Sequence, residues 1–217
     1  MDAATLETIT AAWDVDLHRS RVALRDGEPV GFAYLAVRGD RSWIGGLGVV
    51  EGERRHGTGR ALMEAVLAEA CGDVLLEVID GNEPAIRLYE ELGFEQVRTL
   101  EVWSLTAGAP ASTATPAEPR LVEEAAPWQR ERPSLDGASA LEVEGGAVVF
   151  RPGERVNVLQ LAARDEAVAR ELLAAAKGDA PSLHYVNVPS GTPAVAALRA
   201  LGGSLDLTQL ELRLSDV

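Results

Sequence analysis

Short apolar stretches alternate with turn signals along the first half of the chain. Arg21–Arg25 and Val30–Val37 read as strands parted by Asp26-Gly27-Glu28-Pro29, a break of hairpin length. Trp43–Val50 reads as a third strand, weakened by Gly45, Gly46 and Gly48, a load that points to a bulge or to another backbone approaching closely. A Gly-rich turn leads into a helix predicted from Thr58 to Cys71, with Leu62, Val66 and Ala70 four apart on one face and Gly72 as its stop. Leu75–Ile79 is another apolar strand. Asp80-Gly81-Asn82-Glu83-Pro84 opens a second helix with proline in the first turn, where its missing N–H costs least. Ala85, Leu88, Tyr89 and Leu92 give that helix one apolar stripe, Gly93 closes it, and Glu95–Leu105 follows as a long strand. The order β-β-β-α-β-α-β predicts an α+β fold: a mixed, mostly antiparallel sheet flanked by helices.

The segment Ala107–Pro119 is small, Pro-rich and poor in large apolar residues, so it reads as a semi-extended connector between domains at 1–106 and 120–217. The second half repeats the first. At an offset of 109, Pro84-Ala85 meets Pro193-Ala194, Leu92-Gly93 meets Leu201-Gly202, Thr99 meets Thr208 and Leu105 meets Leu214. At an offset of 106, Gly72-Asp73 meets Gly178-Asp179. Strands at Val156–Leu161, Leu183–Val188 and Leu205–Leu214, with helices at Asp165–Lys177 and Pro193–Leu201, keep the same order, so a duplicated domain is expected.

Composition narrows the chemistry. The 217 residues carry a net charge of -14, with 34 acidic against 20 basic side chains, and both halves are acidic, so a nucleic-acid-binding face is not expected. The balance slightly favours cationic partners. A single cysteine, Cys71, excludes an internal disulfide, and three histidines leave a zinc cluster short of ligands, so no metal is expected. No apolar run reaches the length of a membrane span, and Met1–Thr5 leads into no basic-then-apolar export signal, which makes a cytoplasmic protein, monomer or homodimer, the expectation.

Against that acidic background, Glu53-Arg54-Arg55-His56-Gly57-Thr58-Gly59-Arg60 stands between a strand end and a helix start. Glycines at 57 and 59 free the backbone to aim successive N–H groups and the positive helix terminus at one point, a geometry for an anion and, with the basic side chains beside it, for a diphosphate. The same glycines could simply make a tight connection. A Walker loop is excluded because no Lys-Ser/Thr follows the second glycine, and a dinucleotide fingerprint lacks its GxGxxG.

What the spacing does resemble is the GNAT superfamily of acetyl-CoA-dependent N-acetyltransferases. The signature Q/R-x-x-G-x-G/A is matched by Arg54-x-x-Gly57-x-Gly59, and a second motif is matched by Asn82 followed by Pro84 to Phe94. The likeness covers roughly Val22 to Leu105 directly and the second half only through the repeat. It implies that the backbone from Arg55 to Arg60, including His56, Gly57, Thr58 and Gly59, holds the diphosphate of coenzyme A with Arg54 beside it. It also implies that Leu47, Gly48 and Val49 hydrogen-bond the pantetheine, with the Val49 N–H on the thioester carbonyl. Tyr89 becomes the acid for the departing thiolate, or else a core tyrosine on an apolar stripe. Asn82 bonds the pantetheine amides, or caps its helix. Glu77, which interrupts an apolar strand, is the candidate base for the acceptor ammonium, or an outward-facing glutamate. The implied acceptor is a small-molecule amine.

The second copy departs from the pattern. Leu198 stands where Tyr89 would be, Gly191 where Asn82 would be, and its helix opens on Arg164-Asp165-Glu166 without a glycine pair. A degenerate, structural C-terminal domain is expected, with the segment Trp128–Arg132 considered as a wall for the acceptor. Two other readings remain: a non-catalytic acyl-CoA sensor or interaction module, and a mycothiol-synthase-like acyltransferase.

Overall fold

Asp26 and Gly27 both hold positive φ, 51° and 86°, the paired left-handed conformations that let a two-residue loop match the twist of its strands. In this computed structural model, which describes residues 7, 10–108 and 112–215, the turn joins β1 (Arg21–Arg25) to β2 (Glu28–Arg38). A second two-residue turn at Gly39-Asp40 joins β2 to β3 (Arg41–Val49). The expectations for Met1–Thr5 and for residues 109–111 of the connector fall outside the described residues.

The chain forms two compact units, Met1–Val97 with Leu210–Val217, and Arg98–Gln209. These limits differ from the Pro-rich connector: β5 (Glu95–Leu105) contributes residues from 98 onward to the second unit, and β11 (Ser204–Leu214) contributes residues 210–214 to the first.

In the first unit the strand order is β1-β2-β3-β4, with β4 at Asp73–Ile79, followed by residues 210–214 of β11. Helices α1 (Thr58–Leu67) and α2 (Glu83–Glu91) cover one face. That face supplies Ala33, Leu35, Ile44, Val74, Leu76 and Val78 to a core completed by Leu62, Met63, Val66, Tyr89 and Phe94. The expected helix over Thr58–Cys71 stops earlier, at Leu67. Glu69 and Ala70 donate back to Val66 and Leu67, and Ser42 Oγ accepts the Cys71 N–H at 2.9 Å while donating to the Cys71 carbonyl at 3.0 Å. This turns Gly72 against β3's entrance, where an added Cβ would lie 1.8 Å from the Asp40 carbonyl oxygen.

The second unit repeats the plan. β7 (Ser139–Val143), β8 (Gly146–Arg151) and β9 (Arg155–Ala163) form an antiparallel meander, α3 (Glu166–Lys177) follows, and β10 (Ser182–Pro189) returns parallel to β9 before α4 (Pro193–Ala200). This is the order β1-β2-β3-α1-β4-α2 over again. Residues 100–105 of β5 pair antiparallel with β10. Of the meander only β9 was anticipated by the apolar pattern, as Val156–Leu161, while β7 and β8 were not, and β6 (Thr115–Ala117), inside the expected connector, pairs antiparallel with β7. A buried polar network fastens this unit. Arg130 binds Glu123 at 2.9 Å, the Tyr185 hydroxyl at 3.0 Å and the Asn187 carbonyl at 3.0 Å, while Gln160 donates to the Arg130 carbonyl at 2.8 Å.

Candidate functional site

Two irregularities of β3 open the site. On one side, the register with β2 shifts between Tyr34 and Leu35, so Gly45 is bulged out of the ladder. On the other, parallel pairing with β4 runs only from Arg41↔Asp73 to Ile44↔Leu76 and then ends. Beyond those pairs β3 and β4 part, and the edge of β3 from Gly45 to Val49 faces the gap. The Val50 N–H bonds the Val30 carbonyl at 3.0 Å, so strand alternation turns the N–H and C=O of Val49 away from β2, toward the gap. The Val49 carbonyl accepts from Arg54 Nε at 3.1 Å.

The loop after β3 carries the left-handed backbone that its glycines anticipated. Arg55 holds φ 66° and Gly57 holds φ 82°, and Gly57 is the N-cap of α1 with no side chain capping the helix. The first intrahelical bond runs from Ala61 N–H to Gly57 O at 3.0 Å, so the amides of the first turn lie ahead of the helical ladder. A Cβ added at Gly57 would meet nothing within 4 Å. One added at Gly59 would lie 3.7 Å from Leu88 Cδ2 and 3.9 Å from Val49 Cγ2, which places the start of α1 beside the end of β3 and against α2. Arg54, Arg55 and His56 are exposed, and Thr58 is half-buried. Arg60 is held by Glu91, with Glu64 at 3.9 Å, so its charge is partly spent inside the unit. A cavity of about 450 Å³ borders the turn, lined by Val22, Leu24, Arg25, His56, Gly57 and Thr58.

The remaining expected residues divide. Leu47 and Val49 pack at the border of the core, and Tyr89 lies inside it, 6% exposed, its ring centroid 5.9 Å from that of Phe94. Burial pushes the Tyr89 hydroxyl up to about 12. Asn82 is the N-cap of α2, yet its side chain makes no cap bond; only its carbonyl serves the helix, accepting from Ala85 and Ile86 at 3.0 Å. Glu77, the first β4 residue past the last paired position, accepts from the Trp43 indole N–H at 2.8 Å. Arg130, in the segment considered as an acceptor wall, is turned into the second unit's own interior.

Sequence reading missed the aromatic face around Glu77. Phe32 and Tyr34 stack at 4.6 Å opposite Gly48 and Gly46, and Trp43 meets Trp13 edge-on at 5.7 Å. The available signal was the pairing of aromatic residues on β2 with glycines on β3. Among the described residues, no group of three or more His, Cys, Asp or Glu side chains could hold a metal ion, and no helix is long and apolar enough to cross a membrane.

The second unit has the same divergence without the cradle. Pairing of β9 with β10 ends after Val158↔Tyr185, and a cavity of about 500 Å³ lies there, lined by Glu123, Leu161, Ala162, Val188, Thr192 and Ala194. But α3 begins at Asp165, whose carboxylate accepts the Val168 N–H at 2.9 Å and so occupies the position an external anion would take.

A family model described as the acetyltransferase (GNAT) family matches residues 4–94. That match covers less than half of the chain. Within known proteins, 76 residues, 35% of this chain, are 41% identical to a mycothiol acetyltransferase of Clavibacter michiganensis, and that match spans about a quarter (24%) of the relative's length. A GCN5-related N-acetyltransferase from Sphaerobacter thermophilus superposes with a TM-score of 0.71 at 20% identity, over 96% of this chain and 85% of that one. A tandem GNAT protein from the clavulanic acid biosynthesis pathway does so with a TM-score of 0.60 at 14% identity, over 90% and 82%. At such identities these two establish fold alone.

Proposed function

We propose that this chain is an acetyl-CoA-dependent N-acetyltransferase, working in the cytoplasm, that moves acetyl directly to the amine of a small acceptor. The observation that carries the reading is the coincidence, within one unit, of the parted β3 and β4 with the glycine-turned, side-chain-free start of α1. Acetyl-CoA supplies the activated thioester; the rest is the work of side chains and backbone already described. The amides from Arg55 to Arg60 would receive the diphosphate, with Arg54 released from the Val49 carbonyl to join Arg55 and His56 around it. Leu47 and Val49 would hydrogen-bond the pantetheine along the free edge of β3, with Gly48 between them turned to β2 and Asn82 across the gap. The Val49 N–H would hold the carbonyl oxygen as negative charge grows on it.

Glu77 would take a proton from the acceptor ammonium, giving nitrogen the lone pair with which it bonds the acetyl carbon as the carbon–sulfur bond breaks. Tyr89 would donate to the departing sulfur. With its hydroxyl at about 12 and a thiol near ~8.5, complete transfer from Tyr89 is uphill by roughly 5 kcal/mol. Its role is therefore a hydrogen bond to the thiolate, with solvent delivering the final proton. The second unit, with Leu198 and Gly191 at the matching positions and Asp165 across its helix start, reads as a degenerate copy with a structural role, leaving one active site per chain.

Two measurements test this. Acetyl-CoA at about 100 times Kd should raise the unfolding free energy by ~2.7 kcal/mol, and an absent shift refutes any coenzyme A reading. Thiol release with an amine panel then separates an enzyme from a non-catalytic acyl-CoA sensor. Tyr89→Phe removes that hydrogen bond and should slow turnover about 100-fold while keeping the acetyl-CoA shift; unchanged turnover would leave Tyr89 a packing residue. The 41% identity to a mycothiol acetyltransferase favours a second reading, an acyltransferase of that kind, which the same panel distinguishes by including its acceptor.

A further inference from the structure

Two of the three glycines of β3, Gly45 and Gly48, are explained by aromatic rings, and the third, Gly46, lies in contact with them. A Cβ at Gly45 would lie 2.3 Å from Trp43 Cζ3, and one at Gly48 would lie 2.5 Å from Phe32 Cε1. One at Gly46 would lie 3.6 Å from both Phe32 Cε2 and Tyr34 Cδ2. Those rings rest on the strand backbone itself, along the stretch where β3 has left β4. Register fixes their common side. Ala36 is opposite Trp43, Tyr34 opposite Gly46 and Phe32 opposite Gly48, so the even-numbered residues of β2 share a face with Trp43, the face away from α1 and α2. Glu77 is on that face too, two residues beyond Leu75, which pairs with Trp43, and its carboxylate is fixed by the Trp43 indole.

We infer that this face is the acceptor site and that it selects an organic ammonium with an apolar or aromatic body, the cation at Glu77 and the body against Phe32 and Tyr34. The chemistry is that of a cation box. A carboxylate offers about four acceptor sites, and the Trp43 indole takes one of them, at Oε2. The carboxylate attracts a cation and repels an anion of the same shape, while the ring faces offer apolar contact to the body attached to it. The net charge of -14 further favours a cationic guest over an anionic one. The inference rests on the acetyltransferase reading, because it is the gap at β3 that makes this face adjacent to the transferred group.

The experiment uses the full chain and three probes of one shape: 2-phenylethylammonium, 2-phenylethanol and phenylacetate, titrated by ligand-observed NMR in the presence and absence of acetyl-CoA. The ammonium should bind at least about 10-fold more tightly than the alcohol, and phenylacetate most weakly. Phe32→Leu and Tyr34→Leu should each weaken the ammonium about 5-fold, and Glu77→Gln should bring it to the level of the alcohol. The acetyl-CoA thermal shift of each variant reports that it is folded. Equal binding of ammonium and alcohol, or variants that keep the shift and bind the ammonium like wild type, would overturn the inference and leave the coenzyme A reading standing. Selective ammonium binding with no acetyl-CoA shift would sustain the cation box and remove the transferase.

Discussion

Gly57 and Gly59 belong to the same motif but are glycines for different reasons, and two alanine substitutions separate them. Gly57 holds φ 82° in open space, with nothing within 4 Å of an added Cβ. Gly57→Ala therefore introduces no clash, only the left-handed penalty of roughly 1–2 kcal/mol. That penalty falls on the conformation that aims the first amides of α1 at one point. Taking ~1.4 kcal/mol, the aimed conformation becomes about 10-fold rarer and the apparent Kd for acetyl-CoA rises about 10-fold. At a ligand concentration 100 times the wild-type Kd, stabilisation should fall from ~2.7 to ~1.4 kcal/mol. Gly59 is helical, and its Cβ would meet Leu88 and Val49 at ordinary contact distances of 3.7 and 3.9 Å. Gly59→Ala should leave the unliganded protein unchanged or more stable by up to ~1 kcal/mol and keep the full acetyl-CoA shift. Thermal unfolding of both variants with and without acetyl-CoA is the assay. If Gly57→Ala keeps the whole ligand shift, the turn is only a connection and the cradle argument is refuted.

The second unit yields two further predictions. Glu123→Ala leaves the Arg130 guanidinium, 2% exposed, without its carboxylate, and should cost about 3–5 kcal/mol in urea unfolding; a loss below ~1 kcal/mol would mean that Tyr185 and the carbonyls suffice. At Asp165, the Val168 N–H, aided by Arg164, holds the carboxyl below its usual value of 3.8. Because the folded value is the lower one, the cap's contribution is fully present above about pH 4 and is lost as pH falls further. Asp165→Asn should flatten that part of the stability profile, and a profile unchanged by the substitution would show that the cap does not carry it.

Where local backbone chemistry decides the structure, the residues spoke for it. Asp26-Gly27 makes its hairpin turn, Pro84 starts a helix, and Gly57 adopts the left-handed backbone on which an anion cradle depends. Where the decision comes from a distant partner, they did not. The end of α1 is set by Ser42 binding Cys71 and by the fit of Gly72 against Asp40, about thirty positions earlier. The glycines of β3 signalled close approach but not of what, since Phe32 lies on another strand. The strand β6 is short, contains proline, and is strand only because β7 lies beside it. The division of β5 and β11 between units depends on which strand edges are available, a property that no single segment carries.

The two halves show one order of elements with two different helix starts. Both place a helix after a strand that parts from its parallel neighbour, beyond Ile44↔Leu76 in one and Val158↔Tyr185 in the other. Every such helix exposes amides that need an acceptor. In α3 the chain answers with its own carboxylate, Asp165, in extended backbone at φ -153°. In α1 it answers with Gly57 and no side chain at all. An internal cap and an external anion compete for the same donors, so a helix start fitted with one is closed to the other. Relative to glycine a capping side chain would gain only a few tenths of a kcal/mol, and at φ 82° it would carry the left-handed penalty of roughly 1–2 kcal/mol, so stability does not call for one at position 57. The glycine keeps the left-handed backbone and leaves the first amides of α1 without a side-chain cap, which is what the proposed diphosphate cradle requires.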